Sequence, residues 1–327
     1  MTTILAGANW TMWPGLTNVS TRTDGVRSHA RIQYEINRSD NSESWERNVT
    51  PIAEGWLGVY MRTALEDDFP LNNYLISLND ENGDVLMGIF DGDSRSIVLN
   101  GPFLSEPLLF AEVGEGHAEF SLNFKIDGTD GFVIGFVNGV EKFRYDGDTR
   151  GALGPAIERV VQRRTTRSVF GGGNPRSVFI SEVLLSTQPT IGFKVVDTEL
   201  SVASLSQWDG TPSNITPIGY ASVEDSLSTE DADQLVTFSR PDIPALDESE
   251  FVASVHFETS QLAETGAPIP EADLLIYDGS EHGAERIQPG ASFSEFRVQW
   301  DQDPRTSAPW TEAGVNEIEV GVASRTA

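Results

Sequence analysis

Residues 120–147 read Phe120-Ser-Leu-Asn-Phe-Lys-Ile126, Asp127-Gly-Thr-Asp-Gly131, Phe132-Val-Ile-Gly-Phe-Val137, Asn138-Gly139, Val140-Glu-Lys-Phe-Arg-Tyr145 and Asp146-Gly147. In the first run apolar residues fall at every second position. Successive side chains on a strand point to opposite faces, so one face is apolar and the other wet. The next five residues, with two aspartates and two glycines, suit a reversal, and Phe132 to Val137 returns as an almost wholly apolar strand from the interior of a sheet. Asn138-Gly139 is the pair best suited to a two-residue hairpin turn, because both residues tolerate positive φ. The stretch therefore specifies a three-stranded antiparallel meander, a piece of a β-sandwich.

Working outward, the same pattern recurs. Gly55 to Thr63 reads as a strand, and Tyr74 to Leu78, Val85 to Phe90 and Ser96 to Leu99 as a second meander on tight turns. Ile32, Tyr34 and Ile36 share a face of a strand over residues 29–36, Val178 to Leu185 is a buried strand, and Ile191 to Val196 is expected to be one more. Residues 37–48 read as a polar loop carrying Trp45, and residues 100–116 as a connection. Trp10 and Trp13 are expected to dock the N-terminal segment onto a sheet.

Charge divides the chain. Fifty acidic against 22 basic side chains give a net −28, and residues 197–327 hold 25 of the acids against five arginines. Residues 150–176 run the other way, with Arg150, Arg159, Arg163, Arg164, Arg167 and Arg176 against the single acid Glu158. Residues 156–162 within this Arg-rich loop suit one or two helical turns. Guanidinium groups pair well with carboxylates, so the segment reads as a docking surface for an acidic patch of the same chain or of a neighbouring copy, with phosphate binding as the rival, and Arg159, Arg163, Arg164 and Arg167 are the candidate inter-subunit contacts. With 327 residues, two cores are expected: a sandwich over 1–196 and an acidic sandwich over 197–327. In the second, strands at 235–238, 251–257, 274–277 and 293–300 alternate with proline-bearing links, and a short helix is expected near 311–319, opened by Thr311.

Composition excludes several chemistries. The absence of cysteine rules out thiolate catalysis and Cys-based zinc sites. The acidic balance makes nucleic acid a poor partner, no apolar run approaches the ~18 residues of a membrane span, and nothing at the start marks the chain for secretion. Asp80, Asn82 and Asp84 have the alternating oxygens that begin a calcium loop, but the remainder of the pattern is missing and a plain hairpin is the simpler reading. Glycosidases need two opposed carboxylates, and Glu35, Glu141 and Glu182 lack a partner two or four residues away on their own strands. No two histidines are close in sequence. The chain is accordingly expected to be no enzyme, and to use no cofactor.

Two resemblances add to this. The runs Gly131-Phe-Val-Ile-Gly-Phe-Val-Asn-Gly-Val140, Phe179-Ile-Ser-Glu-Val-Leu184 and Pro189-Thr-Ile-Gly-Phe-Lys194 are similar to concanavalin-A-like or laminin-G-like sandwiches. Gln207-Trp-Asp-Gly210, the Asp-rich residues 225–233 and Trp300-Asp-Gln-Asp-Pro-Arg-Thr-Ser-Ala-Pro-Trp-Thr-Glu-Ala-Gly-Val-Asn-Glu-Ile-Glu-Val-Gly-Val322 resemble the C-terminal domain of tailed-bacteriophage virion proteins, with Pro309 in place of a more usual small residue. The resemblance implies an all-β chain of two jelly-roll-like sandwiches in tandem. It implies a structural subunit of a phage particle, located in the virion and most often its tail, with capsid decoration as the alternative and a glycan-active enzyme as the second. Its partners would be other virion subunits and copies of itself in a ring or trimer. Apart from the resemblance, a subunit that binds host cell-surface polysaccharide would use exposed aromatics, for which Trp45, Trp208 and Tyr220 are the candidates, with cover of the sheet edge as the other reading of Trp45.

Overall fold

The computed structural model describes residues 3–7, 19–22, 33–36, 44–64, 73–91, 96–112, 116–163, 177–194, 196, 200–210, 227–248, 250–263, 271–291 and 294–325. The chain divides into two compact units, Met1–Asp197 and Thr198–Ala327. Nearly all of the regular structure is β. Trp10, Trp13, Arg164, Arg167, Arg176 and Tyr220 lie outside the described residues.

The first unit contains β1 (Thr3–Gly7), β2 (Val19–Arg22), β3 (Gln33–Ile36), β4 (Ser44–Ile52), β5 (Glu54–Ala64), β6 (Asn73–Asn79) and β7 (Val85–Asp91). It continues with β8 (Ser96–Asn100), β9 (Leu108–Glu112), β10 (Gly116–Lys125), β11 (Gly131–Val137), β12 (Val140–Gly147), β13 (Ile157–Arg163) and β14 (Ser177–Ser186). One antiparallel sheet runs β12-β11-β10-β5-β14-β3-β2, with β1 also paired to β14; the other runs β4-β13-β6-β7-β8-β9. Leu57, Val59, Phe120, Leu122 and Phe124 of the first sheet and Ile76, Leu78, Met87, Ile89 and Val160 of the second form one buried core, which makes the unit a two-sheet sandwich.

The meander over 120–147 forms as the residue pattern requires. Asn138 and Gly139 take φ 48° and 77°, the doubly positive turn whose twist matches the flanking strands. Asp127 closes the other reversal, accepting from the amides of Asp130 and Thr129, and these bonds hold its carboxyl at about 2. Gly135 is needed for packing: a Cβ there would lie 2.3 Å from the Phe143 ring and 2.9 Å from Phe110. Phe110 in turn meets both Phe120 and Phe143 edge-on.

Four expectations are corrected. Residues 44–48 belong to β4, so Trp45 stands on a strand and not in a loop. Residues 100–116 contain β9. Residues 157–163 of the Arg-rich segment are the strand β13, held on one side by β4 and on the other by β6, where one or two helical turns were expected. Ile191 to Lys194 turn back at Gly192, φ 76°, and form no strand.

The second unit has β15 (Ser201–Ser206), β16 (Leu235–Ser239), β17 (Val255–Gln261), β18 (Glu271–Tyr277), β19 (Glu281–Ile287), β20 (Ser294–Trp300), α1 (Glu312–Asn316) and β21 (Glu319–Arg325). A five-stranded sheet, β15-β16-β21-β18-β19, packs its apolar face against the β17-β20 pair and α1 around Phe257, Val298, Trp300 and Trp310. Thr311 caps α1, its Oγ1 accepting from Gly314 N at 2.9 Å. Residues 300–322 are the staple of this core. Trp300 Nε1 donates to the Gly283 carbonyl, and Arg305 grips the buried Asp303 and reaches the Gly314 carbonyl.

Candidate functional site

Strand alternation in the large sheet of the first unit sends Val59, Phe120 and Val183 inward. Tyr60, Glu119 and Glu182 therefore project from the outer face. Tyr60 on β5 pairs with Glu119 on β10 and with Glu182 on β14, so the three stand in one row across three adjacent strands. Sheet spacing sets the two glutamate backbones ~9.5 Å apart with the tyrosine between them. Both carboxylates are enclosed, Glu119 at 4% and Glu182 at 0% exposure. Glutamate is almost never that buried without partners. Glu119 Oε1 accepts from the Gly192 amide at 2.8 Å and from Ser121 Oγ at 3.3 Å. Its main chain is fixed by Asn138, whose Oδ1 accepts from Glu119 N and whose N–H donates to Glu119 O.

Two further rows continue the face. Leu184, Gly58, Ser121 and Phe136 form the next, and Ser186, Trp56, Asn123 and Ile134 the one after. Trp56 and Phe136 are half-buried and stacked, with ring centroids 5.5 Å apart and an interplanar angle of 26°. Beyond Tyr60, the register sets Arg62 opposite His117. Residues 187–194 pass over the middle row as a strap: an ideal Cβ on Gly58 would lie 2.7 Å from Phe193 and 2.9 Å from Thr190.

The described residues among those singled out from the sequence as contacts lie elsewhere. Trp208 packs against the core of the second unit and donates its indole N–H to the Gln234 carbonyl at 3.0 Å. Trp45 is at the start of β4, paired with Gln162. Arg159 donates to the Glu81 carbonyl at 2.9 Å and lies 3.8 Å from Glu46, so it engages the β6–β7 hairpin and β4 of its own unit. Arg163 ends β13. In that hairpin Asp80 Oδ1 accepts from the amides of Asn82 and Asp84, and Oδ2 from Gly154 N. Burial would raise the Asp80 pKa, but these amides outweigh it and hold it below the ordinary value. The carboxylate that would open a calcium loop thus serves as a backbone acceptor. Among the described residues no group of three or more His, Asp or Glu is placed to hold a metal ion.

The sequence reading also passed over one local polar cluster. Asp278 Oδ1 and Ser280 Oγ both lie 2.9 Å from His282 Nε2 at the β18–β19 turn. A Ser-His-Asp relay needs the acid and the hydroxyl on opposite ring nitrogens, so this is a turn brace.

A two-sheet β-sandwich with a polar and aromatic row on its outer face is the class that fold and site define. No protein-family model matches the chain, and no curated protein sequence does. Several solved structures are similar to part of the chain at low identity. An endo-β-1,4-glucuronan lyase from the fungus Trichoderma reesei is 12% identical with TM-score 0.40, over 57% of this chain and 96% of that one. A carbohydrate esterase from Shiga toxin-encoding bacteriophage phi24B is 10% identical with TM-score 0.37, over 57% and 90%. A sialidase is 12% identical with TM-score 0.35, over 50% of this chain, which spans 16% of the sialidase's length.

These comparisons correct the expectation that the chain is no enzyme, because the similar structures are mostly enzymes by name. The expectation rested on a search for paired carboxylates along one strand, whereas Glu119 and Glu182 come to one face from different strands.

Proposed function

We propose that the first unit recognises polysaccharide on the outer face of its large sheet, with Glu182, Tyr60 and Glu119 as its polar centre and the Trp56–Phe136 stack as its aromatic shelf. The observation that carries this is the row itself, two enclosed carboxylates and a phenol across three strands on the side away from the core. Burying a carboxylate costs solvation, and both acids stand on the face turned away from the apolar core. A flat ring pair beside Asn123 and Ser121 offers what a sugar needs, an apolar surface for its C–H face and side groups for its hydroxyls. Phenol and carboxylates are also groups that transfer protons.

Incubating the whole chain with neutral and acidic polysaccharides, and measuring both retention on the polymer and release of new chain ends, tests the proposal. Retention is expected, and Tyr60→Phe is expected to weaken it or to abolish any product. A chain that neither binds nor cleaves any of them overturns the reading.

The virion role is a separate proposal, supported by the resemblance of residues 300–322. Mass spectrometry of purified phage particles containing this chain tests it. Replacing Arg163, Arg164 and Arg167 by Ser is expected to lower oligomer mass at moderate salt, and an unchanged mass counts against assembly through that segment.

A further inference from the structure

The strap over residues 187–194 lies on the middle row of the face, and a regulatory role for it rests on the polysaccharide reading. Phe193 sits on Gly58, which is flanked on β5 by Trp56 and Tyr60, two residues away on either side and on the same face. We propose that this segment is an autoinhibitory strap, with the Phe193 ring occupying the ground between Trp56 and Tyr60 that a sugar ring takes when the face is engaged.

Three observations carry this. Glycine in the middle of a strand weakens it and marks a close approach. Here the approach is made by the strap, since even an alanine methyl at position 58 would meet Phe193 at 2.7 Å and Thr190 at 2.9 Å. Next, the strap is latched to the polar row, because Gly192 N–H donates to Glu119 Oε1 at 2.8 Å from a backbone with φ 76°. Closing the strap thus engages a carboxylate of the site. Finally, the closed state is incompletely satisfied: Thr190 is 0% exposed, and its Oγ1 is buried without a hydrogen-bond partner. A permanent wedge would be expected to pair that hydroxyl.

A binding surface that is open for a fraction of the time has its apparent affinity reduced by that fraction. Removing the ring should return the loss. The test uses the full chain and Phe193→Ala, titrated with cellohexaose, xylohexaose, chitohexaose and an alginate hexasaccharide. Amide hydrogen exchange is followed in the same samples, and retained protection of β10 shows that the variant is folded. The expected result is that Phe193→Ala binds at least one probe about tenfold or more tighter than the parent chain. In the parent, Gly192 and Phe193 should exchange through a local opening, and Gly58→Ala, which pushes the strap from below, should speed that exchange. Equal or weaker binding by a folded Phe193→Ala overturns the proposal. So does exchange of Gly192 and Phe193 only together with the β10 amides, on global unfolding. If no probe binds either protein, the polysaccharide reading fails. Local opening would then still support a moving strap, and global-only exchange would sink both.

Discussion

The indole N–H of Trp310 donates to the main-chain carbonyl of Trp300 at 2.8 Å, and both rings are buried in the core of the second unit. This bond ties the loop entering α1 to the last residue of β20. Trp310→Phe removes the donor and leaves part of the ring's volume empty. It should cost about 2–3 kcal/mol. Urea unfolding of the whole chain should show one transition moved to lower denaturant, with the other unchanged, because the two units have separate cores.

His256 makes the second unit sensitive to acid. Arg297 Nε donates to its Nδ1 at 3.2 Å and Ser254 Oγ lies 2.7 Å from its Nε2, so Nδ1 is the acceptor and Nε2 carries the proton of a neutral ring. Burial first, and then the charge of Arg297, push its pKa well below 6.5. The unfolded chain takes up a proton near 6.5 that the folded chain refuses, so this contribution is full above that value and is lost as pH falls below it. Stability measured from about pH 7.5 down to about 5.5 should decline, and His256→Gln should flatten the decline.

Asp80 braces the β6–β7 hairpin against residue 154. Asp80→Ala would leave the amides of Asn82, Asp84 and Gly154 without their acceptor and should cost about 2–4 kcal/mol. Since both carboxylate oxygens are taken by amides, melting curves of the parent chain in calcium and in chelator should coincide. A rise in melting temperature with calcium would contradict this role of Asp80 in the hairpin.

The meander over 120–147 was legible because alternation, an Asn-Gly turn and an Asp-rich reversal all point to the same structure. β13 was not. Its residues Ile-Glu-Arg-Val-Val-Gln-Arg include good helix formers, and pairing to β4 and β6 on both sides overrides that local preference. β4 was obscured by Glu46, Arg47 and Pro51, residues at home in a loop. Ile191 and Phe193 carry the alternation of a strand, yet Gly192 turns the chain and the apolar pair serves the strap. The Glu182–Tyr60–Glu119 row was invisible because periodicity reports neighbours along a strand, whereas cross-strand neighbours depend on register. Trp208 was singled out as exposed, and its indole is half-buried, packed against the core of the second unit.

The proposed site of sugar binding is the outer face of the large sheet. Chemical-shift mapping of the full, isotopically labelled chain during titration with a polysaccharide fragment tests it most directly. The claim predicts perturbations concentrated at Trp56, Tyr60, Ser121, Asn123 and Phe136, with the strap amides of Gly192 and Phe193 moving in step. Perturbations confined to the second unit or to the smaller sheet, or a flat titration with every fragment, would contradict it.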